Sequence, residues 1–141
     1  MGFIFQAYNL IPVLSAYENA EFVLLLRGMG TDERKRTVME MLKAVGLEGM
    51  ENRRPNELSG GQQQRVAVAR AIAGKPASVL ADEPTANLDS QTGSDLIAMM
   101  RELNEQHGIT FIFATHDPKV MNAANRVVRL EDGAITSDER Q

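Results

Sequence analysis

The 141-residue chain has no cysteine, so disulfides and thiolate chemistry are excluded and a reducing compartment suits it. It has no excess of basic residues: 15 Lys and Arg against 19 Asp and Glu leave a net charge of −4. General binding to nucleic acid or to an anionic membrane is therefore not expected. No long apolar run is present. The longest, Phe22 to Leu26, falls far short of the roughly 20 residues a membrane span needs. The opening Met1-Gly2-Phe3-Ile4-Phe5-Gln6 lacks the basic region and cleavage site of a signal peptide, and Gln6 in sixth position argues against myristoylation. Internal repeats and low-complexity stretches are absent. So is any Gly-x-x-x-x-Gly-Lys-Ser/Thr, the loop whose backbone cradles phosphates. What remains is 43% hydrophobic and 24% charged, an ordinary balance for one soluble domain with a real core.

Periodicity and punctuation give the elements. Gly2 to Phe5 reads as a short buried strand running into Gln6, followed by a loop through Asn9 and Pro12. Ser15 can cap a helix to about Arg27, and Thr31 a second one that Gly46 ends, with Val38, Met41, Leu42 and Val45 as its apolar stripe. Ser59 starts a third helix reaching about Ala73. Val79-Leu80-Ala81 has the unbroken apolar character of a parallel strand covered on both faces. Ser90 caps a long helix closed by His107-Gly108. Thr110 to Ala114 is another buried strand, Pro118 to Ala124 a short helix, and Arg126 to Glu131 a last long strand. Asp132-Gly133 makes a two-residue hairpin to Ala134-Ile135-Thr136, with a frayed tail beyond. Strands alternating with helices predict an α/β fold around a parallel sheet with right-handed crossovers. Residues 15–57 are helical and could form a lobe of their own.

Several stretches carry chemistry. At Ser59-Gly60-Gly61 free N–H groups at a helix start, a hydroxyl and two glycines allow close approach of an anion. Alone, that pattern is more often a plain cap. The longer string Leu58-Ser59-Gly60-Gly61-Gln62-Gln63-Gln64-Arg65, followed by Ala69-Arg70-Ala71, is far more specific. Asp82 and Glu83 end a buried strand, where open α/β sheets place their ligand chemistry. Asp82 there can hold Mg²⁺ directly or through water. Glu83 can polarise a water toward a terminal phosphate. A bare Asp-Glu-Pro more often caps a turn, but this one lies within Ala81-Asp82-Glu83-Pro84-Thr85-Ala86-Asn87-Leu88-Asp89. His116 ends the next strand, at the same sheet edge, and can donate to a transferring phosphate, or it simply starts the Asp117-Pro118 turn. Gln6 follows the first strand in the same way and can reach a metal or the attacking water. By itself it is indistinguishable from a loop glutamine.

In this order the motifs resemble those of the ABC (ATP-binding cassette) ATPases: Gln6 the Q-loop, Leu58 to Gln62 the signature, Val79 to Glu83 the Walker B strand, Asn87-Leu88-Asp89 the D-loop and His116 the switch histidine. Phe5 to Pro12, Glu18-Asn19, Val45-Gly46-Leu47 and Arg54-Pro55-Asn56-Glu57 further resemble the branch serving lipoprotein release and macrolide export. Ala86 stands where that branch often has Gly. The resemblance implies a partial P-loop NTPase (ABC ATPase) parallel sheet with an inserted α-helical subdomain. Residues 1–141 would form one truncated domain, divided at about 7–74 (Q-loop, helical subdomain and signature helix) and 75–141 (the C-terminal part of the α/β core). It implies ATP and Mg²⁺ as cofactors, with Glu83 and His116 catalytic, and Asp82 and Gln6 toward the metal. Ser59, Gly60, Gly61, Gln62 and Asp89 would face nucleotide.

The departure is at the front, where the family's Walker A loop precedes the Q-loop; Gly74-Lys75 is no substitute, because Pro76 follows it. Two expectations follow. Val79 and Leu80 would lack a neighbouring strand, inviting instability, strand exchange or aggregation. The signature, which in this family meets nucleotide held by a partner, would complete only another subunit's site. The implied assembly is a head-to-tail dimer with a second ABC ATPase subunit. It would dock on transmembrane permease subunits at the cytoplasmic face of the cell membrane, with no nucleic acid involved. The leading reading is an ATP-hydrolysing transporter subunit powering export, with little or no hydrolysis by this chain alone. The alternative is a non-catalytic fragment lending its signature to a partner ATPase. An ABC protein of DNA repair is disfavoured because residues 7–57 are too short and carry no sustained heptads. Translation-type cassettes usually pair two cassettes in one chain.

Overall fold

A computed structural model describes every residue from Met1 to Gln141. Its order is β1 (Gly2–Ile4), α1 (Ala16–Leu26), α2 (Thr31–Ala44), a 3-10 turn (Pro55–Glu57), α3 (Gly60–Ile72), β2 (Ser78–Asp82), α4 (Ser90–His107), β3 (Thr110–Ala114), α5 (Pro118–Ala123), β4 (Arg126–Glu131) and β5 (Ala134–Arg140). Strands β1, β2 and β3 form a parallel sheet in that spatial order, and β4 and β5 a separate antiparallel hairpin. The α/β class and the parallel sheet predicted from sequence are what the chain adopts.

The central strand corrects one expectation. Val79 and Leu80 do not lack neighbours: β2 pairs with β1 through Gly2↔Val79 and Phe3↔Leu80, and with β3 through Val79↔Phe111 and Leu80↔Ile112. Long crossovers carry the chain between strands, α1 to α3 in the first and α4 in the second, so β2 enters between strands that come before and after it in sequence. The open edge opposite β1 falls on β3.

One sheet face is packed and the other is not, so the flanking strands are less buried than expected: β1 ends at Ile4, its one buried residue, and β3 has no buried residue. Ile4, Val79 and Ala81 are buried, and they belong to a single cluster of 22 residues that also takes Ala20 and Leu24 from α1, Val38 and Leu42 from α2, Val66 and Ile72 from α3, and Leu96 and Met100 from α4. The helical stretch 15–57 thus packs into one cluster with α3 and the sheet. At about 25 cal/mol per Å² of apolar surface this shared burial is the main force holding helices to sheet. Asn19, 1% exposed, pins the preceding loop: its Oδ1 accepts from Ile11 N at 2.8 Å, and its Nδ2 donates to the carbonyls of Ile11, Leu14 and Ser15. Those four bonds satisfy the buried amide and pair backbone groups of the loop, which is why a polar residue sits on the buried face of α1.

The termini refine the sequence reading. Ser15 caps α1 as expected, its hydroxyl accepting from Glu18 N at 3.1 Å. Helix α2 begins at Thr31 with Gly30 as the cap, and Asp89, not Ser90, caps α4. Asp89 accepts from two backbone N–H groups at once, which a serine one position later cannot do. The hairpin turns at Asp132 (φ 48°) and Gly133 (φ 80°), the paired positive values of a type I′ turn. Its return strand does not stop at Thr136. It continues to Arg140, held by the Arg126–Asp138 ion pair at 2.6 Å and by Gln141 N donating to Asn125 O.

Candidate functional site

Parallel pairing sets β1, β2 and β3 with their C-terminal ends at one edge, and four of the predicted site residues lie there: Gln6, Asp82, Glu83 and His116. The structure brings Glu83 and His116 together. The carboxylate of Glu83 accepts from His116 N at 3.0 Å and from the Thr115 hydroxyl at 2.9 Å, and His116 Nδ1 lies 2.5 Å from its Oε1. Burial alone would raise the Glu83 carboxyl, but the bonds from His116 and Thr115 outweigh it and hold the group below its usual range. The carboxylate is therefore ionised and clamped on three donors. The His116 side chain is 91% exposed, so its second ring nitrogen is open to solvent.

The backbone at Glu83 is strained. Its φ of 43° lies in the left-handed region, disfavoured for any residue with a Cβ and more so before a proline. Surrounding bonds enforce it: Glu83 N donates to Ala114 O at 2.9 Å, and Ala86 N donates to Glu83 O at 3.2 Å. Strain of this kind, held in place by neighbours, gathers where a side chain must be aimed.

Thr115 carries no motif signal of its own in the sequence. Its hydroxyl donates to Glu83 and accepts from Asp117 N at 3.0 Å, so one side chain ties the acid to the next turn. The available signal was its position at the end of β3, beside His116. Replacing it tests the electrostatics. A carboxyl with a lowered folded pKa stabilises the fold above its unfolded value, near 4.3 for Glu, and loses that contribution as pH falls through the folded value. Thr115→Val removes one donor and leaves the desolvation. The difference in denaturation free energy between wild type and Thr115→Val should be largest near neutral pH and shrink below about pH 4. Urea titrations across pH 3 to 8 measure it, and a difference independent of pH would refute this account of Glu83.

Asp82 is exposed at the end of β2, and Gln6 is exposed just past β1 with its carbonyl accepting from Asn87 Nδ2 at 3.0 Å. No group of three His, Cys, Asp or Glu gathers to hold a metal from the protein alone. One carboxylate and one amide oxygen on adjacent strand ends nonetheless suit Mg²⁺, which takes few protein ligands and completes its shell with water and phosphate oxygens.

The other predicted residues form a second group around the start of α3. Ser59 caps that helix, its hydroxyl accepting from Gln62 N at 3.2 Å while Gln62 Oε1 accepts from Ser59 N at 2.9 Å. The two glycines serve packing as well. A Cβ on Gly60 would lie 2.9 Å from the Tyr8 hydroxyl, and one on Gly61 2.4 Å from Thr92 Cγ2. Asp89 belongs here: its Oδ2 accepts from the Thr92 hydroxyl at 2.6 Å, and that bond first, then the Thr92 and Gln91 N–H groups, hold its carboxyl low. No hydrogen bond runs directly from Ser59–Gln62 to Asp82, Glu83 or His116.

Arg70, half-buried further along α3, donates to the carbonyls of Asn9 at 2.6 Å and Tyr8 at 3.0 Å, fixing the segment after Gln6 to this helix. Burial pulls its guanidinium below the ordinary value. The sequence showed Arg70 only as part of a string, because its partners are backbone atoms some sixty residues away, and no spacing rule reaches that far.

Comparison with known proteins identifies the family and the fold. The ABC transporter family matches residues 1–86. The chain is 49% identical over 134 residues to the ABC transporter ATP-binding protein YtrE of Bacillus subtilis, covering 95% of this chain and 58% of that protein. It is 44% identical over 139 residues to the lipoprotein-releasing system ATP-binding protein LolD of Anaeromyxobacter dehalogenans, 98% of this chain and 58% of that one. Among solved structures, the dimeric cassette MJ0796 of Methanocaldococcus jannaschii in a post-hydrolysis state bound to ADP and Pi superposes with a TM-score of 0.83 at 45% identity, over 99% of this chain and 62% of that chain. The chain thus spans 58% to 62% of the length of these three. No helix is long and apolar enough to cross a membrane. In motif order, sheet topology and relatives, the chain belongs to the ABC transporter family, as part of an ATP-binding domain of the LolD and MacB kind.

Proposed function

We propose that the chain is the larger part of an ATP-hydrolysing subunit that powers export through membrane permease subunits, and that it is inactive in isolation. The observation that supports this reading best is the Glu83 carboxylate, ionised and clamped by His116 and Thr115 at the C-terminal edge of a parallel sheet. In that place Glu83 orients the attacking water and takes up its proton as the bond to the terminal phosphate breaks. His116 offers its free ring nitrogen to the phosphate oxygens. Asp82 and Gln6 are the residues to hold Mg²⁺, which when bound neutralises charge on the phosphate oxygens. Ser59, Gly60, Gly61, Gln62 and Asp89 meet nucleotide held by a second ATPase subunit in a head-to-tail dimer. Residues 7–74 then serve as Q-loop, helical subdomain and signature helix, and 75–141 as the C-terminal part of the core. Such a subunit would sit in the cytoplasm against the inner face of the membrane.

Because the sequence contains no Gly-x-x-x-x-Gly-Lys-Ser/Thr, a second reading stands beside the first: a non-catalytic fragment that donates its signature to an intact ATPase. One set of assays tests both. Alone with Mg-ATP, the chain should turn over no faster than the Glu83→Gln variant. Turnover at the ~1 per second or more typical of enzymes would sink the proposed inactivity. Mixed with an intact cassette, wild type should co-purify with it and Ser59→Arg should not. Absence of any complex would defeat the donor role.

A further inference from the structure

Gln64 is the least expected residue of α3. Its neighbours Val66, Ala67, Val68 and Ala69 are all 0% exposed, and so is Gln64. Its Nε2 donates to Pro84 O at 2.7 Å, while its Oε1 is buried without a partner. An apolar side chain of the same length would pack there without the orphaned acceptor, so the bond to Pro84 is what the amide contributes. Pro84 follows the strained Glu83 directly and opens the turn that ends at Asp89. Within that turn Ala86 N donates to Glu83 O, Leu88 N to Thr85 O and Asn87 Nδ2 to Gln6 O. The start of α3 abuts the end of the same turn: Gly61 faces Thr92, which bonds Asp89, and a Cβ on Gly60 would lie 3.8 Å from Leu88.

We propose that Gln64 is a positioning residue that locks the turn Pro84–Asp89 to α3, so that Ser59–Gly61 and Asp89 present one rigid face to a nucleotide-loaded partner cassette. The partner-facing part rests on the half-site reading above; the lock itself does not. Because the same bond holds the carbonyl of Pro84, the residue after Glu83, it also ties the face offered to a partner's nucleotide to the acid aimed at the chain's own sheet edge. Those two groups share no direct hydrogen bond.

Two variants and two measurements test this. Gln64→Met keeps the volume and removes the donor. Gln64→Glu removes the donor only while ionised, and its buried carboxyl can donate to Pro84 O once protonated. In the isolated chain, Gln64→Met should speed amide exchange at Ala86 and Leu88 at least tenfold, leaving Ala20 and Leu24 in α1 unchanged. Where its carboxyl is ionised, Gln64→Glu should exchange at least as fast as Gln64→Met, and it should return toward wild-type exchange, corrected for intrinsic rate, as pH is lowered. Exchange at Ala86 and Leu88 equal to wild type in Gln64→Met overturns the lock. The second measurement is binding of the full chain to the intact ATP-loaded cassette MJ0796, where Gln64→Met should weaken the mixed complex at least tenfold. Equal binding by Gln64→Met and wild type overturns the rigid-face role, and failure of wild type itself to bind overturns the half-site reading on which that role rests.

Discussion

Gly61→Ala is expected to destabilise the chain, although alanine is the better helix former. The gain from propensity is at most about 1 kcal/mol, and less in a first turn. Against it stands a Cβ placed 2.4 Å from Thr92 Cγ2, well inside contact. Thr92 cannot simply turn away. Its χ1 is stiff because it is β-branched, and its hydroxyl is held to Asp89 Oδ2 at 2.6 Å. Rotation breaks the bond that completes the α4 cap; no rotation means α3 and α4 separate at their N-termini. Overpacking of this kind costs about 1–3 kcal/mol, so the net effect is a loss of about 1–2 kcal/mol. Thr92→Ser removes the offending methyl and keeps the hydroxyl on Asp89, so in that background Gly61→Ala should be neutral or mildly stabilising. Urea denaturation of the four proteins gives the coupling directly. Equal effects of Gly61→Ala in both backgrounds would mean that Thr92 is not the constraint.

That result would also separate two reasons for one motif. From sequence, Gly60 and Gly61 read as room for a phosphate, because local rules see only the helix start and its free N–H groups. The structure adds that both also make room within the chain, for Tyr8 and Thr92, contacts that cross some fifty and thirty residues of sequence. The same limit runs through the molecule. The bounds of strand β3 were legible to the residue and those of β4 likewise, since short apolar runs between turn residues are local signals, but the exposure of β3 was not. The place of β2 between β1 and β3 was not, because strand order depends on which crossover lies beside which, and Val79-Leu80-Ala81 reads identically at a centre or an edge. That Asp82, Glu83 and His116 stand at strand ends along one sheet edge was legible in the sequence. That Thr115 aims Glu83, that Gln64 pins Pro84 and that Arg70 holds Tyr8 and Asn9 rests on side chains meeting partners distant in sequence. Such pairs form only when the chain has folded, and no local pattern announces them.

The sheet face opposite the packed one sets the second large effect. Pleating puts Phe3, Leu80 and Ile112 in one row across β1, β2 and β3, with Phe3 48% and Ile112 47% exposed. Parallel sheets are normally covered on both faces, and the outer edge of β3 adds unpaired N–H and C=O groups beside that row. An apolar row next to an open edge favours self-association of the 141-residue chain. Ile112→Lys places a charge at the centre of the β3 edge, the usual protection against edge pairing. Burying an isoleucine contributes about 1.5–3 kcal/mol, and half of that per chain in a symmetric contact corresponds to roughly tenfold or more in the association constant. Sedimentation velocity at increasing concentration should therefore show wild type shifting to larger species and Ile112→Lys remaining monomeric to at least a tenfold higher concentration. Ile112→Val, still apolar, should follow wild type. A wild type that stays monomeric at every concentration would show that this face is quiet in water; association unchanged by Ile112→Lys would move the contact elsewhere, to the exposed Leu130 and Ile135 of the β4–β5 hairpin.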